Sequence, residues 1–264
     1  MNFKLLKYCY FKLFVVLLFF SIFFGCESPN SPEKTGFNYS VLFNLTANTD
    51  NQKIYIYSTA DNNGYVYNDN IGKYTVKTAN ISLSNSVFNF SNFIIKEVSQ
   101  WDNNFSKGAY YTNSDSLKIF SSTQYYLNIN INGSGIKGMV TTPDDFNILS
   151  PLPNSTINAN DSINITWTSS YTAKGYLIDI VKTDTFSFND SVYTYNREQS
   201  FITQGTSFIF SSNFISEGTI KIDILAYDEN YYNYIINDVP NSGIDSAYGY
   251  FAASVLKSVT VNVK

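Results

Sequence analysis

From Tyr39 onward, apolar and polar residues alternate along the chain. Tyr39, Val41, Phe43 and Leu45 fall on one side of an extended segment, with Ser40 and Asn44 on the other. Lys53 to Tyr57 reads as a second strand. Ala79, Ile81 and Leu83 repeat the pattern, as do Tyr125, Leu127, Ile129 and Ile131. A period of two is what a strand needs to bury one face and wet the other. The breaks are Asp61-Asn62-Asn63-Gly64, Asn68-Asp69-Asn70 and Asn132-Gly133-Ser134-Gly135. Asn, Asp and Gly tolerate the positive φ that tight turns demand. No segment shows a convincing period of 3.6. A short helix would fit near Ser99–Phe105, and none is predicted there.

The second half repeats the alternation. Ile163, Ile165 and Trp167 share one face, and so do Tyr176, Ile178 and Ile180. Val192-Tyr193, Ser207–Phe210, Ile220–Ala226 and Val259–Val263 bring the count to about seven strands, the number expected of a sandwich. Between the halves, residues 142–153 (TPDDFNILSPLP) hold Pro143, Pro151 and Pro153. Proline lacks the donor that a central strand needs, so a joint is predicted at 143–153. The predicted fold class is all-β, two tandem β-sandwiches at 38–142 and 154–264. Trp167 is in phase with Ile163 and Ile165, so it is read as core rather than as a ligand platform.

The first 37 residues have a different pattern. Lys4, Lys7 and Lys12 precede an apolar run at 13–24 (LFVVLLFFSIFF), and Gly25-Cys26 follows at once. A basic start, an apolar stretch of this length and a small residue at its end form an export signal, here 1–25. The run falls short of the ~20 apolar residues of a membrane-spanning helix. Residues 26–37 are polar, carry Pro29, Pro32 and Gly36, and read as a flexible tether. Cys9 lies inside the signal, so Cys26 has no disulfide partner in the processed chain. The segment Phe23-Phe24-Gly25-Cys26 resembles the lipobox of bacterial lipoproteins, with Phe at two positions where Leu and a small residue are usual. The resemblance implies that Cys26 becomes the mature N-terminus and carries lipid, a diacylglycerol with acyl chains such as palmitate. The expected location is the cell envelope, at the outer rather than the inner membrane. Glu27 beside the acylated residue bears on that choice.

Two further resemblances concern the folded part. A proline-rich entry, a strand bearing Trp167 and a strand bearing Tyr176 resemble a fibronectin type III-like domain. Ile220 stands where such domains often place a corner tyrosine. Near the C-terminus, Asp228-Glu229-Asn230-Tyr231-Tyr232-Asn233-Tyr234 follows an apolar strand, and Ile244-Asp245-Ser246-Ala247-Tyr248-Gly249-Tyr250-Phe251 precedes the last one. These stretches resemble an uncharacterised family of two-domain lipoproteins from Bacteroidetes-type bacteria. That family has a D-x-x-Y-Y-x-Y stretch, present here at Asp228–Tyr234, and a late G-x-G-x-F-G turn. Only Gly249 and Phe251 keep the turn, and Ala252 stands where Gly is expected. The resemblance implies an envelope protein, accessory to an outer-membrane transporter, and brings no catalytic residues.

Composition narrows the chemistry. The chain has no histidine and one arginine, Arg197. This excludes His-based triads, His-ligated metals and Arg clusters that clamp phosphate. Net charge is −4, and losing the three lysines of the signal leaves −7. An acidic product has no electrostatic grip on nucleic acid. Glycoside hydrolysis would need two carboxylates across a cleft. Asp179, Asp184, Asp190, Glu198, Asp223, Asp228 and Glu229 are available, yet Asp179 and Asp223 alternate with core positions and should face solvent. Asp184 and Asp190 read as loop residues. No spacing singles out a pair, and no enzyme is predicted. Asp61–Gly64, Asn68–Asn70 and Asp144-Asp145 lack the pattern of a calcium loop and are better explained as turns. No cofactor or metal is expected. The many Asn-x-Ser/Thr sequons follow from a composition rich in Asn and Ser.

The remaining candidates are aromatic. Tyr231, Tyr232, Tyr234, Tyr248, Tyr250 and Phe251 are read as lying on a long insertion before the last strand, at a loop end where sandwiches bind. Such a loop packs on its own sandwich, meets an envelope protein through tyrosine, or stacks on a glycan. Trp101-Asp102-Asn103-Asn104-Phe105 is a second aromatic site of the same kind. The sequence therefore reads as a lipid-anchored, non-catalytic binding module, with a glycan-binding or glycan-cleaving surface lipoprotein as the alternative.

Overall fold

The computed structural model describes residues 39–49, 52–58, 76, 78–91, 93–95, 109–112, 117–159, 161–188, 191–211, 217–239 and 241–264. The signal, Cys26, the tether, the Trp101–Phe105 site and the Asp61–Gly64 and Asn68–Asn70 turns lie outside these residues. In chain order the elements are β1 (Tyr39–Ala47), β2 (Lys53–Ser58), β3 (Asn80–Ser84), β4 (Asn89–Phe90), β5 (Phe93–Ile95), β6 (Ala109–Thr112), β7 (Gln124–Ile131), β8 (Ser134–Thr141) and β9 (Ile148–Ser150). Then come β10 (Thr156–Ile157), β11 (Ile163–Trp167), β12 (Gly175–Phe188), β13 (Ser191–Thr203), β14 (Ser207–Phe210), β15 (Gly218–Tyr227), α1 (Glu229–Ile235), β16 (Asn241–Ser242), β17 (Ile244–Asp245) and β18 (Tyr248–Val263). The architecture is all-β, as its alternation predicts.

Among the described residues, three sheets build it. A ten-stranded sheet runs β13-β12-β15-β18-β1-β2-β6-β5, with β10 and β16 also paired to β18. A five-stranded sheet runs β17-β8-β7-β3-β4, and a three-stranded one β14-β11-β9. Strand β7 shows how local sequence sets a strand: exposed and buried residues alternate along all eight positions. It turns into β8 through Asn132 (φ 50) and Gly133 (φ 88), with Ile131 opposite Ser134. That is the two-residue turn with both φ positive that matches strand twist.

Both smaller sheets cover the same face of the large sheet. Phe43 and Phe251 are register partners whose rings stack at 5.3 Å. The Phe251 ring lies against Gly138 of β8, where a Cβ would come within 2.8 Å of it. Two positions of equal parity further along β18, Val255 pairs with Ala226, which pairs with Tyr176. Tyr176 meets Trp167 of β11 edge-on at 5.2 Å and Phe146 at 5.9 Å. Trp167, Ile163 and Ile165 are buried core residues. Removing each such side chain from water contributes about 1.5–3 kcal/mol before entropy is counted.

The segment 143–153 carries the chain from the five-stranded to the three-stranded sheet, with Phe146 buried and Asp145 paired to Lys257 at 2.8 Å. The large sheet, however, is continuous across both halves. Strand β18 pairs in parallel with β1 over Tyr248–Val255 and antiparallel with β15 over Ser254–Val263. Residues from Gly36 to Lys264 accordingly form one compact unit. At Gly249, φ is +110 and a Cβ would stand 2.0 Å from the Val41 carbonyl oxygen, so glycine is required where β18 enters beside β1.

Two local expectations change. The aromatic stretch before the last strand is not a loop insertion, because Tyr248, Tyr250 and Phe251 lie in the last strand itself and Tyr231, Tyr232 and Tyr234 lie in a helix. Asp184 is not in a loop either. It sits in β12 between Lys182, wholly buried, and Arg197, whose Nε donates to it at 2.7 Å. Burial alone would raise the Asp184 carboxyl, but the two cations outweigh it and hold the group below its ordinary range.

Candidate functional site

The site begins where β15 ends. Asp228 donates its N–H to the Ala253 carbonyl at 2.9 Å, closing the ladder with β18. Its side chain then accepts from the Tyr231 N–H at 2.9 Å and caps α1. The carboxyl is buried, and burial pushes it up to about 7 although the N–H groups of Tyr231, Ala253 and Asn230 favour its ionised form. One residue thus ends a strand and starts a helix.

Seven residues of Glu, Asn, Tyr and Ile make a weak helix by propensity. Packing on the outer face of the large sheet holds it. Tyr231 packs on Tyr227 at 5.2 Å and edge-on to Tyr250 at 6.0 Å. Tyr234 meets Tyr250 at 4.7 Å and Tyr248 at 6.1 Å. The Asn230 amide donates to the Phe251 carbonyl at 3.1 Å. Tyr232 lies near-parallel to Tyr227, with the Lys174 ammonium 5.6 Å from its ring centre. Burial, then the neighbouring Tyr232 and Tyr231 phenols, raises the Tyr227 phenol, whose hydroxyl finds no hydrogen-bond partner among the described residues. Burial and then Asp179 raise Tyr231.

Five of the six aromatic candidates therefore come together, each half-buried. Phe251 does not join them, because its parity on β18 turns it into the core against Phe43. Three residues outside the sequence-based set matter at the surface. Ile235, Ile236 and Val239, at the C-terminal end of α1, are 46%, 44% and 38% exposed. The signal for the helix was present: Tyr227, Tyr231 and Tyr234 are spaced i, i+4, i+7, with a capping Asp and an acidic first turn between them. A tyrosine-rich stretch between two strands hides that period.

Two other carboxylates, Asp179 and Asp223, are register partners on β12 and β15. Asp223 accepts from Lys221 at 2.7 Å and from the Ser258 hydroxyl. Among the described residues, no three Cys, Asp or Glu side chains gather as metal ligands would.

No family model matches the chain, and no curated protein matches it. Solved structures with some likeness are immunoglobulin and fibronectin III domains. The fibronectin(III)-like modules of Clostridium thermocellum CbhA are 13% identical, over 86% of this chain and 94% of theirs, at a TM-score of 0.24. The first two immunoglobulin domains of DIP-gamma are 10% identical, over 86% and 97%, at 0.22. The FN1–FN3 domains of chicken CNTN1 are 11% identical, over 83% and 63%, at 0.24. Scores this low carry no argument, and the sandwich architecture rests on the sheets and cores described above.

Proposed function

We propose that this chain is a non-catalytic binding module of the cell envelope, lipid-anchored through Cys26, that meets an envelope protein with the outer surface of α1. The observation that carries this reading is the helix itself. It is added outside both sandwich cores and is locked to the sheet by Tyr231 and Tyr234. It leaves Ile235, Ile236 and Val239 exposed beside Tyr232. Aromatic anchors held rigid with aliphatic neighbours lose little entropy on binding, which suits a protein interface.

The test is purification of the full-length protein from native membranes in mild detergent. A partner should co-purify in stoichiometric amount, and Ile235→Ser with Ile236→Ser should lose it at unchanged stability. The intact mass should show the acyl groups on Cys26. A preparation without a partner that instead binds soluble glycans, with loss on Tyr232→Ala, would favour the glycan reading. An unmodified Cys26 would remove the lipid anchor from the proposal and leave the surface to be judged by the variants.

A further inference from the structure

The last strand belongs to both halves of the molecule. All sixteen residues of β18 have ladder partners: eight pair in parallel with β1 and ten antiparallel with β15, overlapping at Ser254 and Val255. The short strand β16 flanks its beginning and β10 its end, both in parallel. Its side chains enter one continuous core along its length, Phe251 beside Phe43 in the first half and Val259, Val261 and Val263 in the second. Between Phe251 and Val255 it is buried on both faces. Among the described residues, the half built from residues 39–142 is completed by strands near the C-terminus, because β17 pairs with β8 and β18 with β1.

This topology has a mechanical consequence. The start of β1 lies beside the start of β18, with Ser40 opposite Tyr248. Tension between the two ends of the folded unit pulls β1 from its N-terminal end and β18 from its C-terminal end. The two neighbours are then pulled in opposite directions along their length. Their hydrogen bonds lie across that direction and are loaded together, whereas strands pulled apart from one end lose their bonds one at a time. Drawing β18 out along its axis opens that shared core in both halves at once. Beads joined by a linker, by contrast, open one by one.

We propose that β18 is a spine that carries tension along the chain, so that the two sandwiches resist it and fail as one unit. This goes beyond the binding role and does not depend on it, nor on the lipid. The experiment is single-molecule stretching of the full chain in detergent micelles. Cys9→Ser and Cys26→Ser remove the native thiols, and Gly36→Cys with Lys264→Cys supply the handles. The expected record is a single opening step of about 75 nm, from ~3.6 Å per residue less the ~5 nm already spanned by the folded strand. Handles moved to Lys174→Cys and Gln204→Cys peel the edge strand β13 from β12 at their open end. That geometry should yield at a force several-fold lower. Two steps of roughly half the length, or equal forces in both geometries, would overturn the proposal.

Discussion

Asp228 makes the stability of this protein depend on pH in the direction opposite to most carboxylates. Burial pushes its carboxyl up to about 7 in the folded chain, against an ordinary value of 3.8. A carboxyl whose folded pKa is raised stabilises the fold while protonated. That contribution is full below the ordinary value, declines as pH rises towards 7, and is gone above it. The gap of about three pH units corresponds to about 4 kcal/mol in total, of which about 3 kcal/mol falls between about pH 4.5 and about pH 8. Asp228→Asn removes the proton but keeps an oxygen that caps the Tyr231 N–H. The amide also presents N–H to a site that the Ala253 and Asn230 N–H groups face, which adds a pH-independent cost. The prediction therefore lies in the slope. Urea unfolding followed by tryptophan fluorescence and far-ultraviolet circular dichroism, repeated across that range, gives the free energies. The difference between wild type and variant cancels Asp184, Asp145 and every other shared group. It should move by about 3 kcal/mol in favour of the variant as pH rises. Parallel curves for the two proteins would refute the buried, raised carboxyl.

Three further outcomes follow from the same structure. Gly249→Ala places a Cβ against the Val41 carbonyl at a φ that L-residues avoid, and should cost at least about 2 kcal/mol in urea unfolding. Tyr227→Phe deletes a hydroxyl that has no partner among the described residues and stands over Gly175; the unfolding free energy should be unchanged or rise by up to about 1 kcal/mol. Asp184→Asn leaves the buried Lys182 ammonium facing a neutral amide and should cost about 3 kcal/mol at neutral pH. Because the folded Asp184 carboxyl is held low, its contribution is present above 3.8 and lost as pH falls through the folded value. The gap between wild type and Asp184→Asn should therefore close in acid, which thermal melts at several pH values would read.

The alternation of side chains by itself determined the strands. Val41-x-Phe43-x-Leu45 and Ile163-x-Ile165-x-Trp167 have one extended solution that buries them, because successive side chains point to opposite faces. It also determined the Asn132-Gly133 turn, where positive φ at two successive positions admits few residues. Strand partners were beyond its reach. Nothing local to Tyr39–Ala47 says that it pairs with Tyr248–Val255, some two hundred residues away, since a period of two is the same whatever lies alongside. The tertiary structure decided that pairing, because the backbone groups on both edges of β18 and β1 need partners once buried. It also decided the helix: seven residues of poor helix propensity hold about two turns only because Asp228 caps them and Tyr227 and Tyr250 receive Tyr231 and Tyr234. Phe251 and Tyr250 are neighbours in sequence and alike in chemistry, and the pleat alone sends one into the core and the other to the opposite face, beneath α1.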